Sequence, residues 1–479
     1  MIDLNNLGKY RENNRIEAKK ALGGLPHSIW ETYSAFANTL GGIILLGVEE
    51  HRDKSLHAVD LPDPEAMIEE FWSMVNNARK ASVNVLAAKD VAVERVNGKR
   101  IIVISVPRAD RSNKPVYIDG DPRNSYRRNG EGDYKCTDEE LRAMRRDASA
   151  GTQDMLVFDR LGTDVLNAES LRSYRRRMRA ARPGHVWDSL EDEEFFLKIG
   201  AIGVGKDGKR HPTSAGLLMF GNEREIVREY PRYSLEYREE YGDIRRRTDR
   251  IVSSSGDWSG NVYDFYFRVC RKLQLGLKIP SETEDGDGKP VRKALREALA
   301  NCLINADYYG EGGVAVIRER NAVTMSNPGG FRIGLDEARS GGFSDPRNGT
   351  MHKMLNMIGI GERVGSGIPN ILRVWHDRKW AEPIFTQSFD PDRTTLSLPF
   401  EKKDGKKQKI KTSGKRDYGV QKEMIVAYLT DRVSAKSSEI AELTGVSKTR
   451  ARAALNKLIS EEIVVAEGAN RNRTYRLKS

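Results

Sequence analysis

Apolar and small residues recur at helical spacing from His27 to Thr39 (Ile29, Trp30, Tyr33, Ala35, Phe36), and a Gly41-Gly42 pair then stops the helix before the apolar run Gly42–Val48. The pattern predicts a helix, a tight turn and a buried strand, and the strand runs out into two acids, Glu49 and Glu50. Pro62-Asp63-Pro64 opens a second amphipathic helix through about Arg79, and "DVAVERVNGKRIIVISVP" alternates on either side of Asn97-Gly98, a strong hairpin signal. Residues 1–150 therefore read as one α+β domain.

Beyond it, "AESLRSYRRRMRAARPG" predicts a Leu/Arg-rich helix, a short acidic helix follows, and "PTSAGLLMFG" reads as a strand-forming connector, so residues 151–285 are taken as a connecting unit. A second α/β unit is expected over 286–400. Residues 401–419, "EKKDGKKQKIKTSGKRDYG", hold almost no apolar side chain and read as a flexible basic linker. In 420–479 a short helix (Ile440, Leu443), a turn at Thr444-Gly445, a longer helix from Ser447 (Ala451, Leu455, Leu458 inward) and a closing hairpin give a winged helix-turn-helix pattern. Ser447 suits its N-cap. Its second helix offers Lys448, Arg450 and Arg452, and its wing offers Arg471 and Arg473, for phosphate contacts. The fold class expected is α+β, multidomain.

Length and charge sharpen this picture. A chain of 479 residues exceeds one hydrophobic core. A net charge of +11 makes a nucleic acid the first partner to consider, against the plainer reading of a solvated basic surface. Cys136, Cys270 and Cys302 form no CxxC pair, which argues against a zinc ribbon or disulfide framework and fits a reducing compartment. With no signal-peptide pattern and no apolar run near the ~18 residues a bilayer requires, a cytoplasmic protein without a membrane partner is expected.

Glu12 and Glu17 would lie about 140° apart on a helix and on opposite faces of a strand, so spacing alone leaves them as surface acids. A kink between them would make them partners, with Glu50 as a third carboxylate. Three convergent carboxylates suit a hard divalent ion such as Mg²⁺ or Mn²⁺ at a scissile phosphate. In "VRKALREALANCLINADYYG", Glu297, Asn301 and Asn305 are spaced by four and share a helix face, which by itself is an ordinary wet face. "AVTMSNPGGFRIG" and "GIGERVGSGIPNI" add glycine-rich turns whose backbone amides could approach phosphates. The histidines show no HxxxH spacing, and no cysteine has an evident base beside it.

"SAFANTLGGIILLGVEE" (Ser34 to Glu50), "ENNRIEAK" (Glu12 to Lys19) and "NSYRRNGE" (Asn124 to Glu131) resemble elements of the Schlafen AlbA-like domain over about residues 7–147. The resemblance implies a three-carboxylate site that cuts tRNA-like RNA, falling here on Glu12, Glu17 and Glu50 with Lys19 beside them. Glu50 departs from that family's usual aspartate, and Ala18 replaces an aromatic residue. Arg108, Arg111, Lys114, Arg123, Arg127 and Arg128 would supply the phosphate track. Nucleolytic Schlafens form a groove from two such lobes, so this chain, with one, would need at least a homodimer.

Residues 286–400 resemble the divergent ATP-binding domain of the GHKL superfamily. By that resemblance Glu297 orients water, Asn301 holds Mg²⁺, Asn327 reads adenine in place of the usual aspartate, and Gly365 and Gly367 border the phosphates. "DPRNGTMHKML", around Arg347 and Asn348, belongs to the same resemblance without an assignable role. The leading expectation is a metal-dependent endoribonuclease on structured, tRNA-like RNA gated by nucleotide or dimerisation, in a role such as stress or phage defence; the alternative is a non-catalytic DNA-binding transcriptional regulator that senses ATP, and a third, less favoured reading is an ATP-driven assembly platform.

Overall fold

The computed structural model describes residues 3–149, 151–241, 249–276, 288–361, 365–389, 391–402, 425, 429, 434–444, 448–461, 463–467 and 474–477. It comprises two units, Met1–Lys403 and Asp404–Ser479.

The first unit opens with β1 (Ile16–Lys19), α1 (Ile29–Asn38), β2 (Gly42–Leu46), β3 (Val48–Glu50) and β4 (Leu56–Ala58). It continues through α2 (Pro64–Val75), β5 (Val91–Val96), β6 (Lys99–Val106), β7 (Tyr126–Asn129), β8 (Gly132–Lys135) and α3 (Asp138–Ala148). Four strands form a sheet in the order β1-β2-β6-β5, with β1 parallel to β2. Trp30, Tyr33 and Phe36 of α1 bury against Ile44, Leu46, Ile102 and Ile104 of this sheet, which is why the helical spacing was apolar.

The glycine pair has a steric cause. A Cβ at Gly41 (φ +74°) would stand 2.7 Å from the Val106 carbonyl oxygen, and one at Gly42 would stand 2.7 Å from the Phe36 ring. Asn97 (φ 51°) and Gly98 (φ 80°) supply the two positive φ angles of a tight hairpin. The run Gly42–Val48 is not one strand. Gly47, at φ +81° with Leu61 Cγ 2.8 Å from where its Cβ would lie, ends β2 and lets β3 leave to pair with β4.

The chain then runs through α4 (Ala168–Ala181), α5 (Asp192–Ile199), β9 (Ile202–Val204), β10 (Arg210–Pro212), α6 (Ser214–Phe220) and α7 (Glu223–Glu229). Next come β11 (Leu235–Glu240), β12 (Arg250–Val252), α8 (Val262–Gly276), α9 (Lys289–Ile304), β13 (Val314–Glu319) and β14 (Ala322–Pro328). Finally α10 (Leu335–Ser340), α11 (Gly349–Met357), α12 (Gly367–Asp377), β15 (Ile384–Phe389) and β16 (Asp392–Pro399) complete the unit. The large sheet has the order β12-β11-β13-β14-β16-β15.

Two expectations fail here. "PTSAGLLMFG" is helix α6, started by the Thr213 side chain accepting from the Gly216 N–H at 2.9 Å; all its residues are buried, so no alternation distinguishes helix from strand. Nor is 151–285 a separate connector. It donates β11 and β12 to the large sheet, and one core extends from Phe158 to Phe400.

In the second unit, Ser437–Thr444 and Lys448–Ser460 are helices, and Thr474–Leu477 pairs with both Ala435–Lys436 and Val464–Glu467. Ile440, Leu455, Leu458 and Tyr475 bury between them, giving the expected helix–helix–wing arrangement. Arg452 is exposed. Ser447, Arg471, Arg473, the side chains of Lys448 and Arg450, and the linker from residue 403 to 419 lie outside the described residues. Among the described residues no helix is long and apolar enough to cross a membrane.

Candidate functional site

The residues expected to hold a nucleotide come from separate elements and meet in one cleft. α9 contributes Glu297 and Asn301, β14 contributes Asn327, and Gly365 and Gly367 lie at the start of α12; with Asn305, the residue after α9, they line a cleft with about 1070 Å³ of empty space, its open mouth included. Met325, Ile333, Ile371 and Leu396 supply apolar walls, a composition suited to a flat heterocycle with a polar tail.

The glycines make room. A Cβ at Gly367 would stand 2.7 Å from both Asn301 Nδ2 and Glu297 Oε1, and one at Gly365 (φ +68°) 2.6 Å from the Phe343 amide nitrogen. Asn327 donates Nδ2 to the Pro328 carbonyl at 3.0 Å, which leaves Oδ1 as the atom an exocyclic amine would meet. Burial pushes the Glu297 carboxyl up from its ordinary value, against the lowering influence of Lys293 and of a hydrogen bond from Asn301. The residues present fit ATP: a cradle a side chain would fill, an apolar slot and a partly buried acid beside an amide. Sequence reasoning missed two polar members of this cleft, His352 and Asp345, because each lies on a segment whose pattern carried no catalytic spacing.

"DPRNGTMHKML" now has a role. Arg347, 1% exposed, forks onto Asp147 of α3 with two bonds of 2.8 Å, donates to the Gly330 carbonyl at 3.2 Å, and also donates to the Asn305 carbonyl. Asn348 donates to the carbonyls of Ile304 (3.1 Å) and Ala306 (2.9 Å), closing the end of α9. Arg347 fastens the cleft to the N-terminal lobe and Asn348 fixes the end of α9, while Asp345 and His352 of the same segment face the cleft.

The carboxylates of that lobe also approach one another. A turn in which Asn13 N–H donates to the Ile16 carbonyl at 3.1 Å reverses the chain, so Glu12 accepts from the Ala18 N–H at 3.0 Å across β1. This is the kink the spacing required. Burial chiefly, then the negative charges of Glu17 and Glu50, push the Glu12 carboxyl above its ordinary value, while the Ala18 bond and Arg128 oppose the shift. Glu17 is held by Lys19 at 2.9 Å and by the buried guanidinium of Arg128 at 2.8 Å. Glu50 has one oxygen 3.5 Å from Lys54, and its Oε1 is buried with no hydrogen-bond partner among the described residues.

Among the described residues, however, no group of three or more His, Cys, Asp or Glu side chains is placed to hold a metal ion. As arranged, the trio does not fit Mg²⁺ or Mn²⁺, because Lys19 and Arg128 already neutralise its central member.

The expected phosphate track is likewise not an open surface. Arg108 donates to Gln387 (3.1 Å) and the Phe331 carbonyl, Arg111 pairs with Asp345 at 2.5 Å, and Lys114 donates to the Asn38 carbonyl at 2.6 Å. Arg127 pairs with Glu140 at 2.7 Å, and Arg128 is bound within its own lobe by Glu17 and Asp133. Only Arg123 of the six is well exposed, at 82%, beside Asp121. Basic residues in a loop look alike in sequence whether they face solvent or an acidic neighbouring lobe.

Comparison with known proteins bears on these lobes one at a time. Residues 12–137 match the family model "Schlafen, AlbA_2". Residues 312–397 match "Putative ATP-dependent DNA helicase recG C-terminal", and residues 421–478 match "Transcriptional regulator DIP2311-like, C-terminal domain". Residues 142–236 match a domain of unknown function. No curated protein matches the chain. Among solved structures, the DIP2311 protein from Corynebacterium diphtheriae is similar along 97% of this chain and 95% of its own, at 16% identity and a TM-score of 0.39. The N-terminal domain of a RecG-related protein from Nitrosomonas europaea is 34% identical over 28% of this chain and 90% of its own, with a TM-score of 0.22.

Proposed function

We propose that the chain is a nucleotide-responsive regulator that binds nucleic acid, with ATP in the α9–β14–α12 cleft setting the state of the N-terminal lobe. One observation carries this reading: the five nucleotide candidates converge in a cleft whose wall residue Asp345 is ion-paired to Arg111 of that lobe. The Schlafen and DIP2311-like matches support a nucleic-acid-related function, and the winged unit is the part suited to a DNA groove. When bound, ATP would bring its adenine to Asn327 and its phosphates to the backbone at Gly365 and Gly367. Asn301 and Glu297 would sit beside them, with Glu297 the one acid of that face available to take up a proton.

Phosphodiester cleavage by the N-terminal lobe is the second reading: Glu12, Glu17 and Glu50 lie close enough to act on one another's charge, and cleavage would require Lys19 and Arg128 to release Glu17 to a metal ion. Both readings are tested by adding the purified protein to labelled tRNA, single-stranded RNA and duplex DNA, with and without ATP, in Mg²⁺ or Mn²⁺ and in EDTA, beside Glu17→Gln. The regulator reading predicts binding that changes severalfold with ATP, no cutting, and nucleic-acid affinity within about twofold in Glu17→Gln. Metal-dependent cutting that Glu17→Gln abolishes would replace it with the nuclease. Sedimentation of the same samples reports whether two copies associate and whether ATP alters that, the behaviour an assembly platform requires.

A further inference from the structure

A second cavity lies between the N-terminal lobe and the sheet behind the nucleotide cleft, with about 750 Å³ of empty space, its mouth included. It shares Gly330, Phe331 and Arg332 with the cleft as a common wall. Its charge is unbalanced. Among its lining side chains Arg111 is matched by Asp345, Arg127 by Glu140, and Asp147 by Arg347. Arg332 shares Asp345, its Nε lying 3.4 Å away.

Two further cations, Arg108 and Lys114, meet neutral acceptors: the former Gln387 and the Phe331 carbonyl, the latter the Asn38 carbonyl. Asp392 faces them, with Oδ2 accepting from the Gly330 N–H at 3.1 Å and Oδ1 buried without a hydrogen-bond partner among the described residues. The lining and its direct partners thus hold six basic side chains (Arg108, Arg111, Lys114, Arg127, Arg332, Arg347) against four acidic ones (Glu140, Asp147, Asp345, Asp392), an excess of two positive charges when every group is ionised.

Buried charge without a counter-charge is costly, and a protein either neutralises it or binds an ion against it. Burial, and then the charge of Arg108, push the Lys114 ammonium well below its ordinary value. A doubly charged tetrahedral anion matches the excess; it would take over or share the donors that Arg108 now gives Gln387 and the Phe331 carbonyl and that Lys114 gives the Asn38 carbonyl, since phosphate oxygens are stronger acceptors than these neutral groups.

We propose that this cavity binds a small phosphate-bearing anion, free phosphate or a phosphate monoester, with Arg108 and Lys114 as its principal ligands. The site is distinct from the nucleotide cleft and does not depend on that cleft's assignment; through Gly330–Arg332 it stands where occupancy could reach the cleft wall.

The test uses the full chain. Thermal unfolding is followed with inorganic phosphate, with glycerol phosphate, and with chloride at equal ionic strength, each with and without saturating ATP. The result expected is a rise in melting temperature with phosphate or the ester beyond that with chloride, present also with ATP, and an affinity at least tenfold weaker in Arg108→Gln and in Lys114→Met. Response to both anions or to the ester alone tells free phosphate from a monoester. No rise beyond chloride overturns the proposal, as does an equal rise with citrate, a rise that ATP abolishes, or one that a folded variant retains. Should neither variant fold, the wild-type comparisons with chloride, citrate and ATP still decide.

Discussion

Arg347→Met is expected to destabilise residues 1–403 by about 3–5 kcal/mol, the usual cost of removing one partner from a buried ion pair. Methionine fills much of the space but leaves Asp147 facing the lobe junction without its two 2.8 Å bonds, and leaves the Gly330 carbonyl without its donor. Burial alone would raise the Asp147 carboxyl; pairing with Arg347 first, then Arg332 and Arg146, overcomes it and holds the group below its ordinary value. A depressed carboxylate stabilises the fold above its unfolded pKa of about 4 and loses that contribution as pH falls through the lower folded value. Wild type should therefore lose stability in that acid range. Arg347→Met should lose less there, having already lost the pair. Adding Asp147→Asn should restore part of the deficit, and chemical denaturation of the four proteins as a double-mutant cycle measures the coupling. A coupling below about 0.5 kcal/mol, the scatter expected of independent sites, would show that the pair does not join the lobes.

Asn38→Leu should cost about 3 kcal/mol or more, for a different reason. The Asn38 amide donates to the carbonyls of Val116 (2.8 Å) and Tyr126 (3.0 Å) and accepts from the Val116 N–H at 2.8 Å. Leucine keeps the branched shape but none of the hydrogen bonds and is bulkier, so buried backbone groups at Val116 and Tyr126 are left unpaired, each at about 1–3 kcal/mol, and crowding adds to that loss. Ser34 backs the same two segments, donating to the Val116 carbonyl at 2.7 Å and accepting from the Tyr126 N–H at 2.9 Å. A melting temperature within a degree or two of wild type would contradict this account of the motif. The segment "SAFANTLGG" is thus architectural: its polar residues peg the helix to the strand β7 and the loop before it, and its glycines clear a path for Val106 and Phe36.

What could be read from the sequence follows from where each signal originates. Local signals were legible: Gly42, which clears the Phe36 ring, the Asn97-Gly98 hairpin and the spacing of Glu297 and Asn301 each act within a few residues or one helix. The break at Gly47 was hidden because a buried strand and two short strands share one apolar run, and Leu61, whose side chain enforces the break, is distant in sequence. The fate of Arg108, Arg111 and Lys114 was hidden because their partners Gln387, Phe331 and Asp345 lie in the other lobe and Asn38 on α1. For the same reason the resemblance could mark Arg347 but assign it no role: its partner is Asp147, 200 residues away. The kink between Glu12 and Glu17 could be named as a requirement, but whether Lys19 and Arg128 would occupy the acids depended on packing.

The central claim, a nucleotide cleft at α9, β14 and α12, is tested most directly by calorimetric titration of ATP into the full chain, with Gly367→Val and Asn301→Ala beside it. The account predicts one ATP per chain, binding weakened at least tenfold by Asn301→Ala, and no measurable binding in Gly367→Val, whose side chain would enter the space of Glu297 and Asn301. Absence of binding in the folded wild type, or equal affinity in all three proteins, would contradict it.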